Sequence, residues 1–282
     1  MEQDRKRGER LKKAIKNEWY GWVFISPVML GIALFTLVPM IESLYFSFFR
    51  YYNVITSPEG FGLFNYKLMF QQDDFWQSVR VTFTYTAITI PLYMVLSFLL
   101  ALLLNSKIKG VGIYRVLIYL PVIIPVTVSG IIWRNFTDVD FGLANEILTS
   151  IGIGRLQFFE SASSSMPTLI VMGLWGLGGG MVLWLSSLKN VPQNLYEAAE
   201  IDGANGFIRL IYITIPMCTP IIFYNLVLNV INSLQTFGSV LTLTGGSAGA
   251  DDSLLFYMMK VYNDAFNISG KTMGLALSLI HI

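Results

Sequence analysis

The chain of 282 residues is 54% hydrophobic and only 13% charged, with a mean hydropathy of +0.58. That charged share is about half the ordinary value for a soluble domain. A soluble protein of this size could not hide so much apolar surface without a large exposed patch, whereas a membrane protein can, because lipid is its solvent. A net charge of +1 gives no basis for nucleic-acid binding. The single cysteine, Cys218, excludes a disulfide framework within the chain and reads as a small apolar packing residue. One histidine and one cysteine argue against a metal site or a Cys/His catalytic pair, and no cofactor is expected.

In chain order, residues 1–20 are polar and basic, with Arg5, Lys6, Arg7, Arg10, Lys12, Lys13 and Lys16. A secretory signal peptide is the alternative here. Its apolar region would be shorter and no small-x-small cleavage site follows, so a retained first span is expected. Apolar runs cover residues 21–49, 78–104, 113–133, 166–188 and 213–243. Each reaches the roughly 20 residues needed to cross hydrocarbon, and the backbone there must satisfy itself, so helices are expected. Pro27, Pro39, Pro91, Pro121 and Pro125 are expected to kink them. Glu42 is the one acid inside a span, and an interfacial partner is expected for it.

A sixth run covers 272–282. Gly274–Ile282 gives about 13 Å of helix, too short to cross. Truncation is favoured over a re-entrant segment, and His281 is given no role. The expected fold is an all-α, polytopic transmembrane bundle: a basic N-terminal segment at 1–20 and a membrane domain at 21–282.

Charge sets the orientation. Residues 1–20, 105–115 and 189–209 hold twelve Lys and Arg, and residues 50–80, 134–165 and 244–271 hold seven. Because positive residues favour the cytoplasm, the first group is expected inside, with the N-terminus, and the second outside. The outer loops, rich in Gly, Ser, Asn and aromatics, read as folded.

One inward stretch, "EAAEIDGANGFIRLIYITIP" from Glu197 to Pro216, is polar where its neighbours are not. Pro192 suits a first helical turn, and Leu195, Glu197, Ala198, Ala199 and Glu200 are strong helix formers. Gly203 is placed to end that helix in a left-handed conformation, and Asn205 to cap a second helix entering the fifth span. A helix–turn–helix across the inner ends of the bundle is expected. It is acidic, which argues against DNA. Two readings stand side by side: a membrane-surface connector, and a plug for a groove on another protein.

The spacing of Glu197, Ala198, Ala199, Gly203, Ile213, Ile215 and Pro216 resembles the EAA loop of binding-protein-dependent ABC transporter permeases, with Ile215 in place of the usual leucine. "YLPVIIPVTVSGIIWRNF", "FGLANEIL" and "LTGG" resemble the sugar-type, maltose-like branch of that family, and the likeness covers most of the chain from Leu30 onward. The resemblance implies a six-helix permease subunit of a bacterial inner-membrane importer, with a complete sixth span that this sequence lacks. It implies a second permease subunit, two ATP-hydrolysing subunits and an extracytoplasmic solute-binding protein as partners. It also implies that the EAA helix, in the loop 189–212, docks in a cleft of the ATPase. Ala198, Ala199 and Gly203 would fit that cleft. Glu197 would orient the loop by pairing with a basic partner such as Arg209, for which interfacial snorkelling is the alternative. The outward loops 50–77, 137–165 and 244–271 would meet the binding protein.

No ATP site of its own is expected. "AFNISGKT" (265–272) ends like a phosphate loop but has Ala265 where glycine is needed. The glycines of "GLGGG" (176–180) read as close helix packing. Asn225, Asn229, Asn232 and Thr236 fall on one stripe of the fifth span, and Thr82, Thr86, Thr89 and Tyr93 on one stripe of the second. Amides and hydroxyls in hydrocarbon need partners or water. For the fifth span a sugar-lined cavity is favoured over interhelical bonding, and for the second span the reverse. An ion-coupled secondary transporter would call for intramembrane carboxylates and an inverted repeat, and a membrane enzyme for clustered titratable groups. The spans show neither clearly.

Overall fold

The computed structural model describes residues 18–50, 59–106, 109–266 and 273–281. The basic residues 5–16 and most of the stretch 265–272 lie outside the described residues. In chain order the helices are α1 (Glu18–Ser47), α2 (Phe64–Gln71), α3 (Asp73–Asn105), α4 (Val111–Ile123), α5 (Val126–Phe136), α6 (Leu143–Ser150) and α7 (Ala162–Leu174). Then come α8 (Leu177–Lys189), α9 (Gln193–Ile201), α10 (Gly206–Met217), α11 (Thr219–Leu234), α12 (Gly238–Thr244), α13 (Tyr257–Phe266) and α14 (Met273–Ile280). Two short strands, β1 (Phe49–Arg50) and β2 (Glu59–Phe61), pair antiparallel.

The spans differ from the expected ones in particular ways. Among the described residues, Glu18–Ser47, Asp73–Asn105 and Thr219–Thr244 are long and apolar enough to cross a membrane. The third run is not one helix. It breaks at Ile124–Pro125 into α4 and α5, bent by 98°, because Pro125 lacks the N–H that a continuing helix would need. The fourth starts earlier, at Ala162, and bends by 43° at Trp175–Gly176. The run 213–243 is divided between the end of α10, α11 and α12. Two turns widen to π-helix, Ala33–Leu37 and Leu210–Thr214, each two residues before a proline, Pro39 and Pro216. A proline offers no N–H to the carbonyl four residues back and crowds it, so the preceding turn opens.

The chain forms two compact units, Met1–Met69 with Asp264–Ile282, and Phe70–Asn263. In the first, α14 packs along the Val38–Ser47 half of α1. Asn65, buried, donates from Nδ2 to the carbonyls of Ser47 (2.8 Å) and Phe49 (2.6 Å), and the Tyr66 and Ser47 hydroxyls meet at 2.8 Å. These bonds close the backbone groups left open where α1 ends. His281 Nε2 lies 3.1 Å from Ser43 Oγ. Glu42 stands exposed on α1.

In the second unit α3 is the central post, against which α7, α8 and α11 pack. One apolar cluster gathers Tyr85, Leu169, Val240, Leu254 and Phe256, and another Ala101, Leu104, Met181, Trp184, Leu188 and Cys218. Lipid tails are as apolar as these side chains, so close packing and hydrogen bonds must hold the helices together. The glycines of α8 permit that approach: Gly178 faces the backbone of Ile118 and Tyr119, and Gly180 faces Ser97, whose Oγ accepts from Trp184 Nε1 at 3.0 Å. Bonds from α3 do the rest. Thr82 Oγ1 accepts from the Tyr257 N–H (2.9 Å), and the Thr86 and Ser233 hydroxyls meet at 2.8 Å. These two hydroxyls of the second-span stripe therefore bond other elements of the unit.

Tyr93 carries the most consequential of these contacts. Its hydroxyl accepts from the Gly180 N–H (2.9 Å) and donates to the Gly176 carbonyl (3.2 Å), bridging the break between α7 and α8. An open backbone group in hydrocarbon costs several kcal/mol. Tyr93→Phe keeps the ring but removes this partner from the Gly180 N–H, while the Gly176 carbonyl keeps the Gly179 N–H at 3.2 Å. It is expected to lower the thermal unfolding midpoint in detergent, at a cost of about 1–3 kcal/mol.

The segment 137–160 is folded, as its composition suggested. Asn145, almost fully buried, donates to the Leu156 carbonyl (3.0 Å) and accepts from the Leu156 N–H (2.9 Å). Arg155 reaches the Val139 and Asp140 carbonyls at 3.0 and 3.1 Å. The N–H groups of Phe141 and Asp140 donate to the Asp138 carboxylate, which with nearby Arg134 holds its carboxyl below the usual carboxylate range. That turn is held at neutral pH and loosens as pH falls through the lowered value.

Candidate coupling loop and transport cavity

The loop 189–212 is built as its residues dictate. Pro192 is the residue before the first turn of α9 rather than within it. The helix ends in a left-handed closure: Gly203 has φ +79°, its N–H donates to the Glu200 carbonyl (3.1 Å), and the Ala204 N–H reaches back to Ala199 (2.8 Å). Asn205 caps α10, its Oδ1 accepting from the Ile208 N–H at 2.9 Å. Two helices thus meet in a turn whose orphan groups at that junction are closed internally.

The charges pair otherwise than expected. Arg209 meets Glu200 at 3.2 Å, not Glu197. Glu200 follows Glu197 on the same side of α9 but lies one turn nearer the Gly203 closure, and so within reach of Arg209. The pair is solvent-facing on the Glu200 side and contributes only tenths of a kcal/mol.

The motif residues divide into two groups. Glu197 and Ala198 are exposed, on a face they share with Asn194 and Ile201, and Ile201 is 87% exposed. Ala199 is half-buried. Ile213 packs with Tyr196 against the Leu188 cluster, and Pro216 follows the π turn. Sequence reasoning passed over two residues here. Ile201 lies one turn beyond Ala198 on the outward face, a spacing that could have found it. Tyr196 bonds across to Thr214 at 2.8 Å, and no sequence signal marks that pair.

A cavity of about 240 Å³ lies where both bent spans break. Tyr85, Ser129 and Ser239 bring hydroxyls to it, and Pro121, Ile124 and Trp175 form apolar walls. Of the fifth run it takes Ser239 rather than the asparagine stripe. Asn225 is buried and donates to the carbonyl of Ile221 at 3.0 Å. Asn229, half-buried, donates to the Asn225 carbonyl at 2.7 Å. Asn232 is exposed, and Thr236 sits half-buried at the break between α11 and α12. The stripe therefore runs from the packed interior of α11 to its open flank. Donors and acceptors in such a setting can bind a polyhydroxylated solute.

Residues 60–282 match the family described as binding-protein-dependent transport system inner membrane component. The chain belongs to that family. This permease is 40% identical over 255 residues to the probable ABC transporter permease protein YesP of Bacillus subtilis (strain 168), covering 89% of this chain and 82% of the relative. It is 29% identical over 261 residues to the trehalose/maltose transport system permease protein MalF of Thermococcus litoralis, covering 92% and 88%. The fold matches a bacterial alginate ABC transporter, crystallised in complex with an alginate pentasaccharide-bound periplasmic protein, with a TM-score of 0.82 at 22% identity over 96% of this chain and 91% of that one. The resemblance read from Glu197 to Pro216 is borne out. The chain is a multi-pass membrane permease subunit of an ABC importer, a transport component rather than an enzyme. The ion-coupled alternative falls away.

Proposed function

We propose that the permease forms half of the translocation path for a saccharide or related glycoside and takes its motion from a separate ATPase through α9. Relatives named for trehalose/maltose and lactose transport support the substrate class. The observation that carries the coupling is the exposed face of α9, where Glu197 and Ala198 project beside Ile201 with the turn behind them closed. An uncovered isoleucine on a short acidic helix suits a partner's groove better than open water. Glu197 and Ala198 contact that groove, Ala199 and Gly203 set the angle of the turn, and Ile213 and Pro216 anchor it to the fifth span. Of the stripe Asn225, Asn229, Asn232 and Thr236, the last three line the path toward the open flank of α11, where a second permease subunit completes the wall, and buried Asn225 roots it in the packed interior. Two ATPase subunits lie on the inner side and a solute-binding protein docks on the outer loops. The N-terminus and α9 face the cytoplasm, as the positive residues demand.

Copurification tests the assembly: the tagged permease is expected to bring down an ATPase whose hydrolysis rises when saccharide-loaded binding protein is added. Orientation is checked by labelling Ala198→Cys with an impermeant maleimide. The native Cys218 is buried, so background is low. Labelling is expected in inside-out vesicles and not in intact cells. The reverse pattern would sink the coupling role.

A further inference from the structure

The contact between Tyr196 and Thr214 lies outside the motif that marks the loop, yet it is a part-buried polar link between α9 and the root of the fifth span. The two oxygens are 2.8 Å apart, and Thr214 is only 4% exposed. The Thr214 hydroxyl has one proton, which it donates to the Arg209 carbonyl at 3.3 Å. With that proton so placed it can accept from Tyr196, although across the 2.8 Å contact either hydroxyl can be the donor. A chain of two bonds runs from α9, through Thr214, to the main chain at the start of the π turn Leu210–Thr214. Tyr196 immediately precedes Glu197 and, turned about 100° from it, points into the protein as Glu197 points out.

The other connections between the two helices are poor transmitters. The backbone path through Asp202–Asn205 is exposed or half-buried and turns at Gly203. The Glu200–Arg209 pair is screened by solvent. The Tyr196–Thr214 bond is partly shielded and seated where the helix is already unwound from α geometry.

We infer that Tyr196 and Thr214 are the positioning pair that delivers the movement of α9 to the π turn at the root of the fifth span. The inference rests on the proposed docking role of α9.

The test uses the complete transporter in proteoliposomes, with substrate uptake and ATP hydrolysis measured on the same vesicles. Tyr196→Phe and Thr214→Val each remove one hydroxyl. Each is expected to lower the uptake per ATP hydrolysed by about three- to tenfold, the factor that loss of one part-buried hydrogen bond carries. The double variant is expected to be no worse than either single one, Thr214→Ser to keep the ratio, and the yield of copurified ATPase to stay constant. An unchanged ratio in Tyr196→Phe, an additive loss in the double variant, or a loss that merely tracks ATPase yield would overturn the inference. Gly203→Pro, run in parallel, separates the two levels. Full uptake there would bring down the coupling reading and this inference with it. Loss there with a full ratio in Tyr196→Phe would bring down the inference alone.

Discussion

Gly203→Pro is expected to abolish ATP-driven uptake while leaving the permease in the membrane. Gly203 has φ +79°, and proline is locked near −65°. Its N–H donates to the Glu200 carbonyl, a bond that proline cannot make. The closure of α9 would be lost at about 3 kcal/mol, and the outward face carrying Glu197, Ala198 and Ile201 would lose its fixed angle to α10. Gly203→Ala separates conformation from space. Nothing lies within 4 Å of a β-carbon built there, so alanine faces only the left-handed strain of about 1–2 kcal/mol. Partial uptake is expected from it, and none from proline. Uptake in cells, normalised to the amount of permease in the membrane fraction, makes the comparison. Normal uptake by the proline variant would show that the angle of α9 does not matter.

The loop was legible because its signals are local. Gly203 and Asn205 act on their own backbone within a few residues, and such chemistry is written in the order of residues. The Glu197–Arg209 pairing failed because carboxylates three residues apart share one side of a helix but differ by a turn along its axis, and composition does not say which turn Arg209 reaches. Pro121 and Pro125 announced a kink in the third run but not an angle of 98°. That angle depends on what the two halves pack against: Gly178 beside Ile118, and Gly130 beside Thr242. The asparagine stripe of α11 has the expected periodicity, yet its members differ in burial, because periodicity fixes direction around a helix and not which neighbour covers each turn. The cavity at the two breaks was beyond reach for the same reason. Its lining comes from residues as distant as Tyr85 and Ser239.

The glycines of "GLGGG" give the sharpest contrast between local sequence and packing. Alanine is a better helix former than glycine by about 1 kcal/mol in a helix interior, so propensity alone favours Gly178→Ala and Gly179→Ala alike. The structure separates them. A β-carbon at Gly178 would sit 2.3 Å from the Ile118 carbonyl oxygen and 2.8 Å from Tyr119 Cα, and these are backbone atoms of α4 that no rotamer change can move. At Gly179 it would meet the Tyr93 hydroxyl at 3.4 Å and Val122 at 3.8 Å, ordinary contacts. Gly178→Ala is therefore expected to force α4 and α8 apart, at about 1–3 kcal/mol or more, and to reduce both folded yield and thermal midpoint. Gly179→Ala is expected to be neutral or slightly stabilising. The consequence extends to transport, because α4 leads directly into the break at Pro125 that walls the cavity, and a shifted α4 moves Pro121 and Ile124 with it. Equal losses from the two alanine variants would mean that the close approach at Gly178 does not hold the bundle. A loss at Gly178 alone would locate the tightest crossing of α8 one residue from a position that tolerates change.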